Sequence, residues 1–259
     1  MELELFQVDA FTDQLFKGNP AAVIPLQHWL SDDQLQAIAA ENNLSETAYF
    51  VRQNNDYSIR WFTPVAEVDL CGHATLASAY VLFNYLDYSA ETITFHSNSG
   101  PLMVSSEGDS YTMDFPVQSP IPCVTPEPLK FAFNQPIQAC LKSEDYILLF
   151  EDEQAIVEMT VDLSKLKQVD LRGVVLTAKS NNYDFVCRFF APKYGIDEDP
   201  VTGSAYTQLA PYWAEVLSKN ELKAAQLSPR GGELACVLKG DRVMISGGAV
   251  LYLKGTVFI

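Results

Sequence analysis

Basic residues are scarce in this chain. Its 259 residues hold 17 Lys plus Arg against 33 Asp plus Glu, a formal net charge of −16. A field of that sign repels phosphate backbones and acidic membrane surfaces, so neither nucleic acid nor a membrane is expected as a partner. There are three histidines, His28, His73 and His96, with no His-x-x-x-His pair. The five cysteines (Cys71, Cys123, Cys140, Cys187, Cys236) are odd in number, widely spaced and without a CxxC. A metal site and a disulfide framework are both unsupported, and free thiols are expected. No run approaches about 18 uninterrupted apolar residues, and Met1-Glu-Leu-Glu-Leu-Phe6 lacks a basic region ahead of an apolar core. Neither a span nor a signal peptide is expected, and the expected location is cytoplasmic. A Gly-x-Ser-x-Gly elbow and a Gly-x-Gly-x-x-Gly after the first strand are also missing, against a serine hydrolase and a nicotinamide enzyme.

What the chain does have is core material, 48% hydrophobic and 12% aromatic residues, enough for a globular protein without staples. It also has an internal repeat. Arg60-Trp-Phe-Thr-Pro64 leads to Val68-Asp69 and then Gly72-His-Ala74, while Arg188-Phe-Phe-Ala-Pro192 leads to Ile196-Asp197 and then Gly203-Ser-Ala205. The two arginines are 128 residues apart, about half the chain, which predicts two copies of one fold unit, each contributing a helix start. A cleft between two such halves is the expected site.

Taken in order, Leu3 to Phe11 and Ala21 to Ile24 read as strands around the turn Lys17-Gly-Asn-Pro20. Ser31 with Gln34 marks a capped helix ending near Asn42-Asn43. Leu44 to Val51 is a turn entering a strand with Glu46 at its entrance, and Ser58 to Phe62 is the next strand. The helix Thr75 to Tyr85, studded with Ala74, Ala77, Ser78 and Ala79, is expected to be central and buried. Strands follow at 92–96, 102–105 and 111–115. Five prolines between Pro116 and Pro128 suggest a linker. Beyond it, strands are expected at 137–141, 146–150, 155–159 and 173–177, with a helix at 163–167 and a further strand at 184–190. The acidic turn Ile196 to Thr202 then opens into a helix that Pro211 should kink or interrupt, and strands at 234–238, 242–246 and 250–259 close the chain. The expected halves are 1–118, to which strand 250–259 could also belong, and 119–249.

The chemistry concentrates at the two helix starts, Gly72-His73-Ala74 and Gly203-Ser204-Ala205. Glycine lets backbone N–H groups approach a ligand closely, and the helix dipole favours an anion there. A single such start is more often an ordinary cap; the duplication is what raises both. Glu46 and Asp199 are the candidate proton-transfer groups. Alone, Glu46 reads more readily as a solvated turn carboxylate. His73 could simply cap its helix; since the dipole at a helix N-terminus disfavours the imidazolium, a neutral His73 that polarises or relays a proton is the functional expectation. Cys71 is either an inert buried thiol, the commoner case, or one activated by the helix mouth.

These residues are familiar as a set. Val8-Asp-Ala-Phe-Thr12, Gly18-Asn-Pro-Ala-Ala-Val23, Leu44-Ser-Glu-Thr47, Cys71-Gly-His-Ala-Thr75, Glu198-Asp-Pro-Val-Thr-Gly-Ser-Ala205 and Arg230-Gly-Gly-Glu233 resemble the PhzF family of phenazine-biosynthesis-like isomerases, over the whole chain and in order. The resemblance implies an α/β (α+β), diaminopimelate-epimerase-like fold: two pseudo-symmetric halves, each a curved, mostly antiparallel sheet around a central helix. It implies a cofactor-free, metal-free enzyme, commonly a homodimer, acting on a small carboxylate-bearing substrate. The position matching Glu46 is the general acid/base in the phenazine enzyme, where it moves a proton between carbons, and positions matching His73, Asp199 and Ser204 line the same site. Substrate contacts are expected from Asn19, Gly72, Ala74, Gly203, Ser204, Arg230 and Gly231. In related epimerases two cysteines share the work; Cys71 matches the first, and the Asp199 loop replaces the second. Tyr206 stands where many relatives have histidine, which bears on specificity. A Cys71-dependent epimerase or racemase, and a small-acid binding protein without turnover, remain as alternatives.

Overall fold

The computed structural model describes residues 1–259. The chain divides into two compact units, Met1–Asp114 together with Ser246–Ile259, and Phe115–Ile245. No helix is long and apolar enough to cross a membrane.

In the first unit, β1 (Glu2–Ala10) and β2 (Asn19–Leu26) pair antiparallel, and helix α1 (Asp32–Asn42) leads to β3 (Glu46–Gln53), which lies parallel to β2. The capping box forms as the sequence predicts: the Gln34 N–H donates to Ser31 Oγ, and Asn43 closes the helix with a φ of 49°. β4 (Asp56–Phe62) runs antiparallel to β3, and β5 (Glu67–Val68) folds back on it. After α2 (Gly72–Tyr85), β6 (Thr92–Ser97) returns parallel to β4, and β7 (Gly100–Glu107) and β8 (Ser110–Pro116) complete the run. The C-terminal strand Ala249–Phe258 pairs with β1 along nearly its whole length.

The sheet wraps α2, which packs on β1, β2, β3, β7 and the C-terminal strand. Its small residues are what permit this: Ala74, Ala77, Ser78 and Ala79 are all fully buried. The buried hydroxyls are satisfied within the helix, Thr75 on the Cys71 carbonyl at 2.6 Å and Ser78 on that of Ala74 at 2.7 Å. Ring pairs such as Phe50–Phe95 fill the layer beyond.

In the second unit, β9 (Ile121–Pro122), helix α3 (Glu127–Lys130), β10 (Ala139–Lys142) and β11 (Tyr146–Leu149) precede helices α4 (Glu153–Val157) and α5 (Leu163–Leu166). Then come β12 (Val174–Lys179), β13 (Phe185–Ala191), β14 (Ile196–Asp199), α6 (Tyr206–Leu217), β15 (Glu221–Gln226), β16 (Gly232–Lys239) and β17 (Arg242–Gly247). The pairing order repeats that of the first unit. β11 lies parallel to β12, β12 antiparallel to β13, β14 folds back on β13, β15 runs parallel to β13, and β16 antiparallel to β15. The repeated arginines hold equivalent places. Arg60 on β4 grips Glu67 on β5 through two bonds of 2.7 Å, and Arg188 on β13 grips Glu198 on β14 at 2.7 and 2.9 Å. Each guanidinium also lies 5.1 Å from a ring two residues on, Phe62 and Phe190.

Several expectations are corrected. Ala155–Met159 is not a strand: Asp152 accepts the Ala155 N–H at 2.9 Å and caps α4 instead. The acidic turn contains a strand, β14, because Glu198 must face Arg188. Glu221–Gln226, given no element from the sequence, is β15. The proline-rich stretch is not a bare linker; Pro122 sits in the two-residue strand β9 and Pro128 in the first turn of α3, places that tolerate a missing N–H. Pro211 does not end α6. It removes the N–H that would bond the Thr207 carbonyl, and the Gln118 N–H takes that carbonyl at 3.0 Å, so the helix continues to Leu217.

Candidate active site

In the first unit, the parallel pairing of β2 and β3 sets Ala21 beside Glu46, so the entrance of β3 lies next to the Gly18-Asn19 turn. Gly18 has a φ of 64°, and a Cβ there would sit 2.2 Å from the Ala10 carbonyl oxygen, which only glycine avoids. Its neighbour Asn19 is wholly buried. The start of α2 delivers His73, likewise buried, and its imidazole stands between three groups. Nε2 is 3.0 Å from Glu46 Oε2, while Nδ1 is 3.5 Å from Cys71 Sγ and 3.3 Å from Asn19 Nδ2. The structure thus brings together Glu46, His73, Asn19 and Cys71, with Gly72 and Ala74 flanking His73.

Burial by itself pushes the His73 imidazole down, but the neighbouring Cys71 and Glu46 reverse this, and it stands well above its ordinary value. Cys71 is pushed up, by burial first and by the Glu46 charge second, so it is a neutral thiol at neutral pH. Glu46, Cys71 and His73 each offer a ligand atom within 4.8 Å of the others. Their closest contacts use both ring nitrogens, Glu46 at Nε2 and Cys71 at Nδ1. The arrangement is a carboxylate–imidazole–thiol chain. α2 begins with Cys71 at its N-cap and without an acid in its first turn, so the dipole at its start favours an anion.

In the second unit, a 3₁₀ turn, Gly203–Ala205, leads into α6, and Thr202 holds the N-cap place that Cys71 holds in the first. The preceding loop is pinned. Thr202 Oγ1 donates to Asp199 Oδ2, and the fully buried Gln226 accepts the Thr202 N–H at 2.9 Å and donates to the Asp199 carbonyl at 2.8 Å. Ser228 donates to the Pro200 carbonyl at 2.8 Å and accepts the Gly231 N–H at 3.0 Å, joining the Asp199 loop to the turn of Arg230 and Gly231. Arg230 is half-buried. Tyr206 is wholly buried against Phe185 with its hydroxyl 3.3 Å from Cys187 Sγ, so an influence on specificity would run through packing.

Sequence reasoning missed the support beneath Ser204. Arg172 donates to Ser204 Oγ at 3.0 Å, and its other nitrogens clamp the fully buried Asp145 at 3.0 and 2.6 Å. Gln208 donates to the same carboxylate at 2.7 Å, and Glu144 lies 3.1 Å from Arg172. Burial works against the Arg172 charge, while Asp145, Glu144 and, last, Asp199 sustain it. No spacing in the sequence signals this group, because Arg172 and Asp145 stand 27 residues apart in unremarkable contexts.

The family model for phenazine biosynthesis-like proteins (PhzC-PhzF) matches residues 8–255. An uncharacterised isomerase of Pseudomonas aeruginosa is 53% identical over 259 residues, covering 100% of both chains. A solved PhzF-family structure from Enterococcus faecalis superposes with a TM-score of 0.98 at 46% identity, again over 100% of both chains. A hydroxyproline epimerase of Agrobacterium vitis shares the fold at 10% identity, with a TM-score of 0.63 over 99% of this chain and 92% of its own. The fold is thus mixed α/β and epimerase-like.

Proposed function

Belonging as it does to the phenazine biosynthesis-like family, this chain is an isomerase, and we propose that it moves a proton between carbons of a small carboxylated metabolite without a cofactor. The supporting observation is the buried Glu46–His73 pair beside the uncapped start of α2. In this reading the Glu46 carboxylate takes a proton from carbon. The electron pair left behind spreads into the conjugated acid of the substrate, and the same carboxyl returns the proton to a different carbon. His73 steadies the charge of Glu46, and Asn19 positions His73 from behind through an amide that can present an N–H or an oxygen to Nδ1. In this reading the helix start at Gly72 and Ala74 and the turn at Gly203 and Ser204 receive anionic or polar substrate groups. Asp199 orients or relays, and Arg230 and Gly231 contribute binding. A homodimer and a cytoplasmic location belong to the same reading, on the family resemblance; light scattering that gives the mass of one chain would remove the first.

The test is deuterium incorporation from D₂O into a panel of small carboxylic acids, including an amino-cyclohexadiene carboxylate. Native protein should catalyse exchange into at least one, and Glu46→Gln should slow it by about 10²- to 10⁴-fold. Exchange that survives Glu46→Gln but is lost on thiol alkylation would transfer the chemistry to Cys71. Ligand-induced stabilisation with no exchange in the native protein would leave a binding protein.

A further inference from the structure

Two of the five thiols face each other, and the chemistry above uses neither. Cys123 Sγ lies 3.4 Å from Cys140 Sγ. The cause is register: β9 pairs with β10 so that Ile121 faces Lys142 and Pro122 faces Leu141, which sets Cys123 opposite Cys140. The Cys123 N–H donates to the Cys140 carbonyl at 3.0 Å, fixing the alignment. Directly opposed residues of an antiparallel pair have Cα atoms about 4.5–5.5 Å apart, within the span a disulfide bridges, and the sulfurs need approach by only about 1.4 Å to bond. Pro120 and Pro122 stiffen the backbone ahead of Cys123, so the approach is made by side-chain rotation.

The two thiols differ in access. Cys123 is half-buried and Cys140 nearly buried. Burial, together with the bond to Cys123, pushes Cys140 up to about 12, so it waits as a protonated thiol. The other three are fully or nearly buried and engaged differently: Cys71 lies against His73, Cys187 against the Tyr206 hydroxyl, and Cys236 is wholly enclosed near Cys187.

We propose that Cys123 and Cys140 form a redox-active dithiol that hydrogen peroxide converts into a reversible disulfide. The accessible Cys123 sulfur attacks the peroxide O–O bond; a hydroxyl is transferred to sulfur, and the other oxygen leaves as water with the thiol proton. The Cys140 sulfur then attacks Cys123 sulfur, an S–S bond replaces the S–O bond, and the hydroxyl departs with the Cys140 proton as a second water. Two thiols are oxidised and one peroxide is reduced. The product staples the proline-rich segment to β10 beside the two-residue pairing of β9.

The test treats full-length protein with hydrogen peroxide, blocks free thiols by alkylation, and digests with trypsin and a glutamyl endopeptidase. Cleavage at Glu67, Glu107 and Lys130 puts Cys71, Cys123 and Cys140 in separate peptides. A cross-linked Cys123–Cys140 peptide is expected, in stoichiometric yield and reversed by dithiothreitol. In Cys140→Ser, a sulfenic acid should instead be trapped at Cys123 by dimedone. Alkylatable thiols at both positions after peroxide, or Cys123 over-oxidised at the same rate in native protein and Cys140→Ser, would overturn the proposal.

Discussion

Replacing Asp145 by Asn tests the support beneath the second helix start. The Asp145 carboxylate is fully buried and accepts two bonds from Arg172 and one from Gln208. Asn keeps the shape but removes the charge, and in either orientation its NH₂ group faces an Arg172 N–H, at the Oδ2 position that of Gln208 as well. Losing one partner of a buried ion pair costs about 3–5 kcal/mol. Arg172 retains 30% side-chain exposure and has Glu144 at 3.1 Å, so the lower end, about 3 kcal/mol, is expected. At about 2–4 °C per kcal/mol, Tm should fall by about 6–12 °C. Calorimetry on native protein, Asp145→Asn and the double variant Asp145→Leu/Arg172→Leu checks the account. The double variant should lose less than Asp145→Asn, because it leaves no buried charge unpaired. A fall in Tm under about 2 °C for Asp145→Asn would show that the clamp carries no stability and would refute the reasoning.

His73 should titrate well above the ordinary histidine value of about 6.5. Because the folded pKa is the raised one, its stabilising effect is full below about pH 6.5 and is lost as pH rises through the folded value. NMR of the His73 ring against pH, beside Tm measured over the same range, checks this; a ring that titrates at or below 6.5 in the native protein contradicts it. Gly18→Ala should cost at least about 2 kcal/mol, since it joins a left-handed residue to a clash with the Ala10 carbonyl. The same substitution should perturb the ring signals of His73 through Asn19, and unchanged spectra and an unchanged denaturation midpoint would count against it.

Much of the fold was legible because local chemistry and tertiary demand agree there. The Ser31–Gln34 box, the small-residue face of α2 and the Arg60/Arg188 repeat each carry a signal within a few residues. Where the two diverge, reading failed. Ala155–Met159 has apolar residues at strand-like spacing, and a single aspartate decided for helix. Glu221–Gln226 has helix-favouring side chains and became a strand because β13 and β16 flank it. The site divides in the same way. Glu46, His73 and Asn19 stand in short motifs, whereas the Arg172–Asp145–Gln208 clamp and the Gln226 brace are assembled from distant segments and leave no local trace.

The first unit is assembled from both sides of the second, since residues 246–259 return to pair with β1 after Phe115–Ile245 has been made. During synthesis at about 5–20 residues per second, β1 therefore waits roughly 12–50 seconds for this neighbour. Throughout that interval one edge of the nascent sheet shows open N–H and C=O groups, with Leu3, Leu5 and Phe6 still uncovered in part. The intervening unit, contiguous in sequence, can finish first. The first unit thus completes its sheet last, and its most vulnerable interval belongs to the strand that waits longest for its partner.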